Sequence, residues 1–472
     1  MLGRLATTFS AAAALVLTSG TAFAANDWVE QWKAFAAETG KEGHAKWVQM
    51  ISDPDAVKLA NDWNEFRGNS AASLIAEANI PAELKPGLRI TRANADSFPW
   101  LKDYLPAPSL ARLKSDDWFR WDEIVIVPTN NYYMARPRLD ATKEAIEQKL
   151  GFTINEKGEL LAADGSFALT SPKTAAAMPF PNPTNGMELN WLNVANAVAS
   201  ENLHFRPIKF DICDSSNKIE RRYEAHLWWQ KFHGRKSLEP LGSVDSQEGV
   251  IEGGSIYFMR PRDIRGLAGV RLRYAALDRD DDFKVFIPSL RRTRILSGSD
   301  AQDPMVAGTE VTWDEWRGYW QKTDPKNFSY TMVGDGFILV QPEVGHAYNP
   351  LETDDSDCNA KSVEMELRPV WILDIDDKTN KYQYSKRRIY IDKEHYILQY
   401  TEMYDQRGNL LRIWDQARDW DPKTGMTTWK NVMEWNPISN RLTILTMMAD
   451  WENLVESTTP GTFDIDQLRD YR

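Results

Sequence analysis

The feature that most constrains this chain is the run of strand-like segments and tight turns that fills its C-terminal end. The segments are separated by Asp392-Lys-Glu-His395, Asp405-Gln-Arg-Gly-Asn409, Asp421-Pro-Lys-Thr-Gly425 and Asn436-Pro-Ile-Ser-Asn440. Asp, Asn, Gly and Pro are what short hairpin connections demand, because they accept turn backbone at little cost. Hydrophobic patterning predicts late strands over 382–391, 396–404, 410–420, 427–435 and 442–449, and earlier ones over 219–229, 254–260, 270–277, 283–288, 336–341 and 362–373. Consecutive hairpins imply an antiparallel meander. A flat sheet of that many strands would leave long exposed edges, so it closes into a barrel or curls around something.

The region ahead of the strands reads differently. Trp28, Trp32 and Phe35 stand at i, i+4, i+7 and predict a helix that ends at Thr39-Gly40; further helices are expected over 140–151 and 190–200. Residues 178–186, with three prolines, hold no regular structure. At the very start, Arg4, an apolar stretch over 11–17 and Ala22-Phe23-Ala24 have the pattern of a secretory signal peptide cleaved after Ala24. The expected organisation is therefore a leader at 1–24, a helical and irregular region at 25–200 packing on the sheet, and the sheet at 201–472. A periplasmic location follows from the leader. With 68 acidic against 56 basic residues the formal charge is −12, which disfavours nucleic acid as a partner, and no transmembrane segment is expected in the mature chain.

In an oxidising compartment the two cysteines, Cys213 and Cys358, are candidates for one disulfide, with two separate thiols as the alternative. The 19 tryptophans exceed what core packing ordinarily uses. Trp313, Trp316 and Trp320 fall at i, i+3, i+7 with Tyr319 beside them, and predict an aromatic face on a short helix; core packing is the plainer account, a wall or lid over a hydrophobic cavity the functional one. Tyr382, Tyr384 and Tyr390 share one parity, which would line one face of a strand, with Tyr390 a candidate ligand contact. Arg291, Arg292 and Arg294 form a basic spot that could hold a carboxylate or phosphate headgroup, or pair with Asp278, Asp280, Asp281 and Asp282. No catalytic motif, metal-ligand spacing or phosphate loop stands out, so no catalytic residue, cofactor or metal is expected, and the protein reads as a non-enzyme.

The segment Phe286-Ile-Pro-Ser-Leu-Arg-Arg-Thr-Arg-Ile295, followed by Gly298-Ser-Asp300, Asp303-Pro304 and Asp314-Glu-Trp316, resembles the signature of a periplasmic family known as domain of unknown function 1329. Pro179-Phe-Pro-Asn-Pro-Thr-Asn-Gly-Met-Glu-Leu189, Arg387-Arg-Ile-Tyr-Ile-Asp-Lys393 and Tyr404-Asp-Gln-Arg-Gly408 resemble other parts of it. That family is similar in fold to the outer-membrane lipoprotein carriers LolA and LolB. The resemblance implies an incomplete barrel, a strongly curved antiparallel sheet with helices covering its concave side, in a β-rich α+β fold. It also implies a hydrophobic cavity for a lipid-like ligand, and a transporter of the RND superfamily and an outer-membrane protein as partners. The leading expectation is a carrier or chaperone for a hydrophobic ligand. A periplasmic sensor or accessory subunit acting through protein contacts, and a glycan or lipid hydrolase, are the alternatives.

Overall fold

The computed structural model describes residues 27–115, 119–196, 200–244, 248–297, 300–353, 357–452 and 454–471. The leader at 1–24, residues 197–199 of the third expected helix, Gly298 and Ser299 of the signature, and Asp354, Asp355 and Ser356 lie outside the described residues. The N-terminal region supplies α1 (Asp27–Thr39), α2 (Glu42–Ile51), α3 (Pro54–Arg67), α4 (Ala71–Glu77), β1 (Arg89–Thr91), α5 (Leu101–Tyr104), α6 (Ala107–Lys114), β2 (Trp121–Ile126), α7 (Arg136–Glu147), the small hairpin β3 (Phe152–Ile154) and β4 (Leu160–Ala162), and α8 (Gly186–Asn196). Then come β5 (Asn202–Cys213), β6 (Ile219–Lys231), a second small hairpin β7 (His233–Arg235) and β8 (Gly242–Ser243), β9 (Val250–Arg260), β10 (Ala268–Tyr274), β11 (Asp282–Ile287) and β12 (Arg292–Ile295). The rest is β13 (Phe328–Val340), β14 (Leu351–Thr353), β15 (Ala360–Asp377), β16 (Lys386–Asp392), β17 (Leu398–Tyr404), β18 (Leu410–Trp420), β19 (Thr427–Asn436), β20 (Arg441–Ala449) and α9 (Ile465–Leu468).

The helices start and stop for local reasons. Asp53 caps α3 by accepting from the Asp55 N–H, Pro54 opens it, and Gly68 at φ +74° ends it. Ser70 and Ser73 form a reciprocal cap at α4. Trp28, Trp32 and Phe35 of α1 are buried together with Trp47 of α2 and Trp63 of α3.

One sheet runs β1-β2-β15-β16-β17-β18-β19-β20-β5-β6-β9-β10-β11-β12, with β13 and β14 also on β15. Its pairings are antiparallel apart from β2 with β15. The last strand, β20, lies between β19 and β5 in the middle of the order. The path does not close on itself: β12 ends it at one side and β13 borders β15 at the other.

The curvature follows from one short segment. A Cβ placed on Gly318 would meet Leu398 of β17 and Trp414 of β18, both at 3.0 Å, while Trp320 lies against Gly254 of β9. β17 and β9 are six strands apart in the sheet order, about 29 Å if the sheet were flat. Two residues of chain span only about 7 Å, so the strands must curl around this segment. The structure is thus β-rich α+β, with a strongly curved sheet that stays open. Its concave side is filled by α1–α3, α8 and the aromatic segment, which share one core with the inward residues of β5, β6, β9, β11 and β15–β19. Two further cores lie on the convex side. One sits under α5 and α6, the other under α9 and the C-terminal tail.

Cys213, at the end of β5, is bonded to Cys358 ahead of β15, with their Cα atoms 6.3 Å apart. Two expectations are corrected. Trp313–Trp320 is not a helix: a single 3-10 turn at Trp313–Glu315, capped by Thr312, gives way to a bend at Gly318 (φ +78°), where the Trp320 N–H returns to the Asp314 carbonyl at 2.6 Å. The three tyrosines do not share a face. β16 begins only at Lys386, and the bend at Ser385, whose N–H and carbonyl still bond Tyr404 and Asp377, leaves Tyr382 and Tyr384 turned inward while Tyr390 faces outward.

Candidate functional site

The proposed site residues do not converge. Trp313, Trp316, Tyr319 and Trp320 are buried in the interior core, where the outer ring edges of Trp320 and Trp313 lie against Gly254 and Gly269, with no room for a Cβ there. Arg271, Arg273 and Arg317 surround Trp320 within 4.9 to 5.5 Å of its ring, and the indole N–H donates to Glu252 at 2.6 Å. Glu315 accepts from Tyr384 at 2.5 Å and from Arg387 at 3.3 Å. Arg291, Arg292 and Arg294 lie on the exposed β11–β12 hairpin. Three of their four alternative partners are taken: Asp281 binds Arg271 and Arg273, Asp282 binds Lys284, and Asp278 binds Lys157.

Tyr390 alone among these residues lines a large groove. It lies on the convex side, between β13, β15–β19 and the helices α5 and α6, and encloses about 700 Å³. Leu105, Pro106, Pro108 and Ala111 form the helical wall; Phe337, Val370, Ile372, Tyr390, Leu410 and Trp435 form the floor. Pro108 in the first turn of α6 fixes the helix start without losing a bonded N–H. On its buried side Arg112 stacks over Trp121 at 4.4 Å, donates to the Phe119 carbonyl at 3.0 Å and lies 3.6 Å from Asp415. Ser109 donates to the Tyr400 hydroxyl at 3.3 Å, and Tyr400 packs edge-on to Tyr390. The helix is thereby held over the sheet along one side while its Ala111 face stays on the groove.

The charges in the groove floor are paired. Arg388 grips Asp374 through two bonds of 2.7 and 2.8 Å, and that bonding raises its pKa. Burial pushes the Glu402 carboxyl up, against the Tyr404 hydroxyl that donates to it at 2.7 Å. Such a floor presents apolar rings and neutralised polar tips, which suits an uncharged chain or ring. A second cavity, of about 720 Å³, lies at the seam where β12 and the start of β13 fail to meet, but its walls carry Arg271, Asp280, Asp281, Asp314, Lys322 and Lys381. Sequence reasoning missed the helical wall entirely. The Pro-Ala-Pro run at 106–108 was its only local signal.

A family described as a protein of unknown function, DUF1329, matches residues 89–469. The chain belongs to the DUF1329 family. The DUF1329 match begins at β1 and therefore includes α5, α6 and every strand that frames the groove, while α1–α4 precede it. Among solved structures, a domain named for outer-membrane lipoprotein sorting from Vibrio parahaemolyticus is 15% identical, covering 60% of this chain and 98% of its own, with a TM-score of 0.42. A DUF1329 protein from Desulfovibrio piger is 16% identical over 58% of this chain and 93% of its own, with a TM-score of 0.40. A LolA-superfamily protein from Nitrosomonas europaea is 11% identical over 56% and 92%, with a TM-score of 0.34. Among curated proteins the sequence finds no match.

Proposed function

We propose that this DUF1329 protein is a non-enzymatic carrier or chaperone for a hydrophobic, lipid-like ligand held in the groove between the sheet and α5–α6. The observation that carries the reading is the groove: about 700 Å³ with an apolar floor and paired charges, within the range of about 300–1,000 Å³ common to small-molecule sites. Burying about 300 Å² of alkyl surface at about 25 cal/mol per Å² supplies about 7 kcal/mol before ordering costs are subtracted. The leader pattern at 1–24 supports a periplasmic location. The family resemblance supports an RND-superfamily transporter and an outer-membrane protein as the sites of loading and release.

Native mass spectrometry with lipid extraction tests the reading on gently purified protein and on Ala111→Trp, which fills the groove from α6. The expected result is one apolar ligand per chain on the native protein and none on the variant, with unchanged thermal stability. A ligand-free native protein that also fails to bind a fluorescent fatty-acid probe would overturn it.

A further inference from the structure

The end of the sheet that carries the β9–β10 loop and the β11–β12 turn has an unusual surface for so acidic a chain. β10 runs antiparallel to both β9 and β11, so the loop at 261–267 and the turn at 288–291 leave the sheet on the same side. They touch, with Pro288 lying 3.5 Å from the Cβ position of Gly266. Arg262 and Arg265 on the loop and Arg291, Arg292 and Arg294 on the hairpin are all exposed. Among the described residues none of the five makes an ion pair; Asp263, the acid within the loop, is bound by Arg221 instead. Two large aliphatic side chains stand among the arginines, Leu290 at 59% and Ile295 at 76% exposure.

Water does not favour either half of this arrangement. Exposed aliphatics gain nothing by facing solvent, and five guanidinium groups gathered on the loop, the turn and β12 repel one another, offset in part where Arg294 acts on Asp300. Both costs are relieved by a surface that offers phosphate oxygens above a hydrocarbon layer, where arginines neutralise headgroups and aliphatics dip past them. Register fixes how the tip would sit. Arg292 and Arg294 oppose Ile287 and Val285, on the concave side of the sheet, while Thr293 and Ile295 oppose Phe286 and Lys284 on the other. The arginines of β12 therefore flank one side of a thin ribbon and Ile295 the other, at the end of β12 away from the turn, with Leu290 at the ribbon's apex.

We propose that this sheet end docks on an anionic lipid surface, inserting Leu290 beneath the headgroups while Arg262, Arg265, Arg291, Arg292 and Arg294 hold phosphates. The interaction is separate from the groove, so each reading stands or falls by its own experiment. Co-sedimentation with vesicles of phosphatidylcholine, with and without one-third phosphatidylglycerol, tests it at low and high salt. The native chain binds the anionic vesicles, releases them in high salt and ignores the neutral ones. Replacing all five arginines by Gln weakens binding at least about 100-fold, and Leu290→Ser weakens it several-fold, in each case without changing thermal stability because the positions are exposed. Equal binding to neutral vesicles, or no response to either variant, overturns the proposal. So does capture of an extended acidic peptide along the β12 edge in place of vesicles, which would mark strand addition rather than a membrane contact.

Discussion

Arg387 and Arg388 are neighbours on β16 whose side chains meet opposite faces of the same sheet. Arg387 points into the concave core, where Gln321, Glu315 and the rings of Tyr319 and Tyr384 enclose it. Arg388 points to the convex groove, keeps about a third of its side chain exposed and pairs with Asp374 alone. The inner face thus uses charge to tie an irregular segment to a curved wall in the absence of water. The outer face uses it to neutralise a floor that stays open. The inner network also carries a surplus of acid: both carboxylate oxygens of the buried Glu434 lack hydrogen-bond partners, and burial together with Glu315 pushes its pKa well up.

The sharpest way to break this contrast is one substitution made on each side. Arg387→Met leaves the Glu315 carboxylate and Gln321 without their cation in a dry interior and should cost about 3–5 kcal/mol of unfolding free energy, read by urea denaturation. A cost below about 1 kcal/mol would show that the interior charges are not held as described.

The next effect is a pH dependence that belongs to the inner face. Glu366 is wholly buried beside Arg368 and Tyr132, and burial raises its carboxyl from 4.5 to about 7 despite Arg368. Folding therefore takes up a proton between those values, so its contribution is fully present below about 4.5 and is lost as pH rises towards about 7, by about 3 kcal/mol. Glu366→Gln should flatten the stability profile between pH 5 and pH 8. Glu343 has the opposite sign: although burial alone would raise its pKa, His395 and Arg418 hold it at about 2, so its stabilisation is present above about 4.5 and fades only in strong acid. An unaltered slope in the Gln variant would place the titration elsewhere.

The smallest effect on stability belongs to the groove. Arg388→Met removes a partly exposed pair worth about 1 kcal/mol or less, yet it uncovers Asp374 in the floor. Affinity for an apolar fluorescent probe should fall several-fold while the denaturation midpoint hardly moves. A variant that binds as before would take Arg388 out of the site.

How much of this could be read in advance depended on distance along the chain. Helix α1 and strand β18 fall where the sequence places them, because Trp28, Trp32 and Phe35 set a helical period and Asp405–Asn409 and Asp421–Gly425 set turns within a few residues. Strand β5 escaped notice although it lies in the centre of the sheet: its pattern is broken by Pro207, and its partner β20 is more than 200 residues away. The parity of Tyr384 and Tyr390 failed for a local reason, the bend at Ser385, that no alternation rule detects. The groove was illegible because α5 and α6 roof strands that follow them by more than 200 residues. One signal was present and unused: Gly253-Gly254 within a β-prone run marks a close approach, and Trp320 is what approaches.

The place of β20 has a consequence for how such a chain is assembled. A polypeptide emerges from its N-terminus, and β5 is complete long before β20 exists, so the middle of the sheet can form only when β20 arrives. Until then β5 and β19 each offer an unpaired edge to any neighbouring strand. Loss of β20 would therefore open the sheet at its centre rather than trim an end of it, and a chain stalled before that strand would be a substrate for holdases and proteases. The sheet is sealed at its centre by the last of its own strands to be made.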